Sequence, residues 1–100
     1  MTIKKLLIAN RGEIASRIIS SAHDMGISCV AIYTEADKDT PYVREADQAF
    51  KLSDSYLNSK EILDIALKSN SDAIHPGYGF LSENAAFANQ VKKLNIKWVG

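Results

Sequence analysis

Short apolar runs alternate with segments of helical periodicity along the chain, and this alternation constrains the possible folds more than any other feature. The apolar runs predict five strands, at residues 3–9, 28–33, 49–52, 73–75 and 96–99. Strands that alternate with helices are typical of a parallel sheet covered by helices on both faces. We therefore expect an α/β fold built on a parallel five-stranded sheet.

Helical periodicity also predicts which side chains face the core. Gly26 is a natural carboxy-terminal stop for the first helix, Thr40 and Pro41 predict the start of a short second helix, and Ser82 is a candidate amino-terminal cap for the fourth. The residues expected to face inward are Ile14, Ile18, Ala22 and Met25 in the first helix, Ile62, Ile65 and Ala66 in the third, and Phe87, Ala88, Val91 and Leu94 in the fourth.

The composition argues against several classes of protein. Because 12 Lys and Arg balance 12 Asp and Glu, there is no reason to expect a nucleic acid or an anionic membrane as a partner. Cys29 is the only cysteine, so an internal disulfide is excluded. No apolar run approaches the roughly 20 residues of a membrane-spanning helix, and we find no signal peptide. We expect a single cytoplasmic globular domain over residues 1–100.

Two loops should lie at the carboxyl edge of the sheet, where ligands bind in folds of this class. The first, residues 9–13, contains only Gly12, followed by Glu13, so it lacks the three glycines of a dinucleotide-binding turn. Glu35 lies where a ribose-binding acid would be found, but one acid is weak support. No His, Cys or carboxylate group has the sequence spacing of metal ligands, so we predict no metal site.

The second loop, residues 75–84, reads His-Pro-Gly-Tyr-Gly-Phe-Leu-Ser-Glu-Asn. Gly77 and Gly79 permit a backbone conformation and a close approach to a ligand that other residues forbid. The polar residues that end the loop would lie at a helix amino end, which is a natural anion or polar site. The alternative is an ordinary crossover with Phe80 and Leu81 inward, and a strand-end histidine such as His75 is more often structural than catalytic.

Two arginines also leave alternatives open. Arg11 either reaches across the carboxyl edge of the sheet or forms a bridge to Glu13 or Glu35. Arg17 belongs to a helix face that is either solvated or an interface with a partner. The residues on this face with Arg17 are Glu13, Ser20, Ser21 and Asp24.

Several of these segments together resemble the amino-terminal domain of biotin carboxylases. They are Asn-Arg-Gly-Glu-Ile-Ala at residues 10–15 with Arg17 and Ile18, Ala-Asp at 36–37 and 46–47, Ser-Tyr-Leu-Asn at 55–58, and above all residues 75–84. The resemblance covers essentially the whole chain, in the right order. It implies a Rossmann-like (pre-ATP-grasp) fold.

The resemblance also implies an activity for a longer protein. Such proteins carboxylate biotin on a carrier protein or domain at the expense of ATP and bicarbonate, and a carboxyltransferase passes the carboxyl group to an acceptor such as acetyl-CoA or propionyl-CoA. ATP and Mg²⁺ are bound mainly by an ATP-grasp domain that follows. We therefore expect residues 1–100 to be a fragment that contains no catalytic residue and is inactive alone.

The resemblance assigns roles to individual residues. On the biotin side it places Tyr78, Gly79 and Glu83. In the active-site loop it places His75, Gly77 and Asn84, together with Arg11. In a homodimer interface it places Arg17, Ser20 and Asp24, although Ser20 and Asp24 are short where a larger charged pair would make a stronger contact.

Two other functions remain as alternatives at this point. The chain could be a noncatalytic Rossmann-like assembly module, or the amino-terminal domain of another ATP-grasp ligase. The complete sequence of residues 75–84 favours the biotin carboxylase interpretation over the second alternative.

Overall fold

The computed structural model describes residues 2–100 as an alternating series of strands and helices. The strands are β1 (Lys5–Ile8), β2 (Ser28–Tyr33), β3 (Gln48–Lys51), β4 (Ala73–His75) and β5 (Lys97–Trp98). The helices are α1 (Gly12–Asp24), α2 (Pro41–Glu45), α3 (Ser59–Lys68) and α4 (Ala85–Lys93), with a short 3-10 helix at Glu35–Asp37.

The strands form one parallel sheet in the order β3-β2-β1-β4-β5, which confirms the predicted fold class. Ile8 pairs with Ala31 of β2 on one side and with His75 of β4 on the other. The chain leaves β1 toward β2 and later returns to the opposite side of β1, so the strand order reverses between β1 and β4. The carboxyl ends of these two strands therefore flank the crevice where ligands bind in open α/β sheets.

Apolar side chains pack on both faces of the sheet, because alternate residues of each buried strand point to opposite sides. One face carries α1 and α2 over Leu6, Ile8, Cys29, Ala31 and Ala73. The other carries α3 and α4 over Leu7, Val30, Ile32 and Ile74. The predicted inward residues of α3, Ile62, Ile65 and Ala66, are buried as expected.

The inward face of α1 differs from the one predicted. Ala22 is buried as predicted and Ile18 packs against the core, but Ile14 is exposed and Met25 is 74% exposed, and Ala15 and Ile19 are buried instead. The helix is thus rotated by about one residue, which places two alanines against the sheet and allows close contact. Gly26 follows the helix with a φ of +76°, as its predicted role as a stop requires.

The predicted amino-terminal cap of α4 is wrong, whereas α2 begins at Pro41 as predicted. Asn84, not Ser82, caps α4, because its Oδ1 accepts a hydrogen bond from the amide of Phe87 at 2.9 Å. Leu94, predicted to face inward from this helix, is 40% exposed. Thr40 does precede α2, but its hydroxyl donates backward to the carbonyl of Asp37 at 2.7 Å rather than capping the helix.

None of the helices within residues 2–100 is both long enough and apolar enough to cross a lipid bilayer.

Candidate functional site at the carboxyl edge of the sheet

The two loops predicted to meet at the carboxyl edge do lie side by side. β1 and β4 are adjacent, and the amide of Ala9 extends their ladder by donating to the carbonyl of His75 at 2.9 Å. The turn after β1 and the loop at residues 75–84 therefore begin at the same level of the sheet.

Asn10 fastens the two loops together. Its side chain is buried, and Nδ2 donates to the carbonyls of Pro76 at 2.8 Å and Tyr78 at 2.7 Å. Its Oδ1 accepts a hydrogen bond from the amide of Arg11. Both amide protons and the carbonyl oxygen of this side chain are thus satisfied, as a buried amide requires. This role of Asn10 could not be predicted, since residues 66 to 68 positions apart carry no signal of contact in a single sequence.

The close contact between Asn10 and the loop also requires a glycine at position 77. Its φ is +66°, and a Cβ atom there would lie 2.8 Å from Asn10 Nδ2 and 3.1 Å from Ile14 Cγ2. Any other residue would therefore clash with Asn10 as well as adopting a strained backbone. The loop passes over the β1 turn at a distance that only glycine permits.

His75 orients the start of the loop. Its Nδ1 accepts a hydrogen bond from the amide of Gly77 at 3.1 Å, which places the proton of the neutral ring on Nε2. Burial lowers the pKa of His75 below its usual 6.5, so the ring is neutral at pH 7. These contacts make His75 a structural element of the loop.

The tip of the loop is open to solvent. Tyr78, Gly79, Ser82 and Glu83 line one shallow depression of about 480 Å³. The Tyr78 side chain is 81% exposed, and at Gly79, where φ is +73°, no atom lies within 4 Å of a Cβ position. The three residues predicted to face biotin therefore share one surface, whereas Asn84 is engaged as the cap of α4.

The crossover interpretation of this loop holds for only one of its two apolar residues. Leu81 is buried in the core, as predicted. Phe80 instead is 44% exposed, with its ring centroid 5.4 Å from that of Tyr56. Phe80 has a φ of +47°, and this conformation turns its side chain out of the core.

Arg11 pairs with neither of the acids considered from the sequence. It binds Asp37 in a bidentate pair, with Nε–Oδ2 and Nη2–Oδ1 distances of 2.6 Å. Glu35 instead pairs with Lys38 and Lys51. The hydrogen bonds to Asp37 raise the pKa of Arg11, so its charge is fixed.

Two tyrosines extend this pair into the protein. The Tyr56 hydroxyl donates to Asp37 Oδ2 at 2.5 Å, and the Tyr42 hydroxyl lies 2.7 Å from that of Tyr56 and 2.9 Å from the carbonyl of Ile32. Burial raises the pKa of Tyr42, so its phenol stays protonated. The network anchors the β1 turn to the segment after β2. Asp37 lies in the Ala-Asp motif at residues 36–37 and Tyr56 in the Ser-Tyr-Leu-Asn motif at residues 55–58, but nothing in the sequence predicts that the two residues are in contact.

The predicted interface residues lie elsewhere, on the outer side of α1. Arg17, Ser20 and Asp24 are all exposed and occupy one side of the helix. The structure thus brings them together on one surface, and Arg17 also lines a cavity with His75, the first residue of the loop at residues 75–84.

Comparisons with a family model, with related sequences and with solved structures all identify the same family. The family model described as "Biotin carboxylase, N-terminal domain" matches residues 2–100. The chain is 54% identical to Biotin carboxylase 1 of Bacillus subtilis over 103 aligned residues, covering 98% of this chain and 23% of that protein. It is 49% identical to pyruvate carboxylase of Staphylococcus aureus, covering 98% of this chain and 9% of that protein.

The similarity extends to a solved structure. The biotin carboxylase domain dimer of Hydrogenobacter thermophilus 2-oxoglutarate carboxylase, in complex with MgADP, ADP and bicarbonate, matches with a TM-score of 0.96 at 43% identity. That match covers 100% of this chain and 23% of the other. The chain therefore spans less than a quarter of the length of each of these three proteins.

Proposed function

The chain belongs to the family of biotin carboxylase amino-terminal domains, and we propose that it forms one wall of the site where biotin is carboxylated in a longer protein. The family match confirms the resemblance found in the sequence. Proteins that carry such a domain include biotin carboxylases and carboxylases named for pyruvate, acyl-coenzyme A and 2-oxoglutarate. The longer protein would use ATP and bicarbonate to carboxylate biotin borne by a carrier, and a carboxyltransferase would take the product.

The observation that supports this role is the open tip of the loop at residues 75–84. Gly79 leaves its backbone uncovered, so a flat ring system can approach to van der Waals distance. Beside it, Tyr78 offers an exposed aromatic surface, and Glu83 can accept a hydrogen bond from an N–H group of the ligand. The residues present therefore fit the bicyclic ureido ring of biotin. They would bind and orient the ring whose nitrogen receives the carboxyl group.

The remaining residues of the two loops would hold the backbone of the site in place rather than contact the ligand. Asn10 holds the carbonyls on either side of Gly77, and His75 fixes the amide of Gly77. Arg11, held by Asp37, fixes the neighbouring turn. A site held on both sides in this way keeps its geometry when the ligand arrives, which lowers the entropic cost of binding.

ATP and Mg²⁺ do not fit this edge of the domain. A phosphate group needs free amide donors or free cations, but Glu13 lies in the first turn of α1 and Arg11 is already committed to Asp37. The nucleotide, the metal ion and bicarbonate would therefore be bound by parts of the longer protein outside residues 1–100.

A homodimer is part of the same proposal. The relative from Hydrogenobacter thermophilus is described as a dimer of biotin carboxylase domains. Arg17, Ser20 and Asp24 present an exposed polar surface on one side of α1. We assign that surface to the contact with a second subunit.

A chimera tests the role of the loop. Residues 1–100 would replace the matching segment of Biotin carboxylase 1 of Bacillus subtilis, which is 54% identical. The change Gly79→Val should then suppress carboxylation of biotin by at least tenfold, because a β-branched side chain fills the open space and restricts φ. Bicarbonate-dependent ATP cleavage, measured without biotin, should be largely retained.

The matched control is Gly26→Val. Gly26 also has a positive φ, at +76°, and open space around its Cβ position. It lies between α1 and β2 at the amino edge of the sheet, whereas Gly79 lies at the carboxyl edge. It should therefore share the backbone strain of Gly79→Val while sparing biotin carboxylation. Equal loss of both partial reactions in Gly79→Val, at an unchanged melting temperature, would place the loop near the phosphates instead, and full activity would overturn the assignment.

A further inference from the structure

Three side chains with metal-binding atoms meet at the amino edge of the sheet, on the opposite side of the domain from the loop at residues 75–84. His23 lies in the last turn of α1, Cys29 is the second residue of β2, and Asp47 immediately precedes β3. A ring nitrogen, the sulfur and a carboxylate oxygen lie within 4.8 Å of one another. Their positions along the chain, six and eighteen residues apart, gave no indication of this cluster.

Hydrogen bonds already orient the cluster. The carboxylate of Asp47 accepts from the backbone amide of Cys29 at 2.7 Å, and its Oδ2 lies 2.8 Å from His23 Nε2. The Cys29 sulfur is buried behind them, whereas the side chains of His23 and Asp47 are 39% and 48% exposed. An ion can thus approach from solvent through the two exposed groups.

We infer that His23, Cys29 and Asp47 form a binding site for Zn²⁺, with a fourth position open to water. One imidazole, one thiolate and one carboxylate are a donor set that suits a borderline-soft divalent ion. The ligand atoms of tetrahedral zinc lie roughly 3.3–3.7 Å apart, so the two exposed side chains need to move by only about 1 Å. This inference does not depend on the proposed function.

Binding converts the thiol to a thiolate. Zinc exchanges water ligands for the sulfur, the imidazole nitrogen and the carboxylate oxygen, the hydrogen bond between His23 and Asp47 opens, and the thiol proton passes to the buffer. Burial, and then the charge of Asp47, raises the pKa of Cys29 to about 11, so the free protein keeps the proton at pH 7. A divalent cation reverses that balance, because it supplies positive charge directly beside the sulfur.

The expected consequence is greater stability. The ion would tie the end of α1 to the start of β2 and to the segment before β3, three parts of the chain that separate on unfolding. Zinc at about a hundred times its dissociation constant should raise the melting temperature of the chain by roughly 10 °C.

Cobalt absorption spectroscopy tests the site on the chain itself. Co²⁺ bound to a thiolate gives an intense near-ultraviolet charge-transfer band, and Cys29 is the only cysteine in the sequence. We expect this band at one equivalent of Co²⁺, and we expect Zn²⁺ to displace it. Cys29→Ser should abolish the band, and His23→Gln should weaken metal binding by at least tenfold.

The control is His75→Gln, which removes the only other histidine, at the opposite edge of the sheet. It should leave the cobalt band unchanged. His23 is exposed, so His23→Gln remains informative even where Cys29→Ser unfolds the protein. The absence of a charge-transfer band, or unchanged binding in His23→Gln, would overturn the inference.

Discussion

Asp37 shows how a single buried residue sets the electrostatics of the carboxyl edge. Its side chain is 5% exposed and receives hydrogen bonds from Arg11 and Tyr56. The Arg11 guanidinium lowers the pKa of Asp37 below its usual 3.8, which outweighs the opposite effect of burial. The carboxylate is therefore ionised in the folded protein throughout the neutral pH range.

Asp37→Asn should lower the free energy of unfolding by about 1–3 kcal/mol at pH 7, since it removes charge-assisted hydrogen bonds. A carboxyl group whose pKa is lower in the folded than in the unfolded protein stabilises the fold at pH values above its unfolded pKa. That stabilisation is lost as the pH falls through its folded pKa. The difference in stability between Asp37→Asn and the unaltered protein should therefore be constant from pH 7 to about pH 5, and narrow as the pH falls from there through the folded value. Urea denaturation of both proteins at a series of pH values measures this difference in the free energy of unfolding.

Glu35→Gln is the control for this effect. The lysines Lys38 and Lys51 lower the pKa of Glu35 to about 2, but this side chain is 60% exposed. Solvent screens exposed pairs, so Glu35→Gln should leave stability unchanged within error. A loss in Asp37→Asn that is the same at every pH would show that its cause is packing rather than charge.

At the scale of elements, the start of α4 is defined by its cap. Asn84→Ala should lower stability by about 1 kcal/mol, because the amide of Phe87 loses its acceptor. Ser82→Ala should have little effect, since Ser82 lies in the turn before the helix. Thermal denaturation of the two variants compares them directly, and the reverse ranking would mean that the helix starts at Ser82.

The two candidate caps also show what the sequence could determine. Ser82 and Asn84 are both good capping residues by type, so local chemistry does not choose between them. The choice follows from the tertiary structure, because Leu81 is buried and the amide of Ser82 closes a turn onto the carbonyl of Gly79. In contrast, β2 and β4 have their predicted bounds, since each is a short apolar run bounded by polar residues or turns.

In the candidate site, too, the sequence predicts the location of the loops but not the contacts between them. The apolar pattern was sufficient to place the β1 turn and the loop at residues 75–84 at one edge of the sheet. It could not reveal the contacts of Asn10 with Tyr78 or of Arg11 with Asp37, which join residues 68 and 26 positions apart. Contacts of this kind depend on the distance between strands in the sheet, and a single sequence does not contain that distance.

At the scale of the whole molecule, the proposed dimer can be tested by charge reversal. Arg17→Glu in the chimera described above should shift its sedimentation toward the monomer. Like charges at an interface cost roughly 4 kcal/mol, about a thousandfold in association. The control is Lys60→Glu, an equal charge change at an exposed position of α3. An unchanged dimer in Arg17→Glu would show that this face of α1 is solvated.

The complete burial of Cys29 has a kinetic consequence. Its sulfur lies beneath α1, 4.0 Å from the carbonyl of Ile19, and the residue has no exposed surface. A thiol reagent, which is much larger than a metal ion, can react with this sulfur only when α1 separates from β2. Where opening and closing are fast, the rate of modification follows the population of the open form. Because the chain holds one cysteine, the rate of its modification reports on the opening of that helix alone.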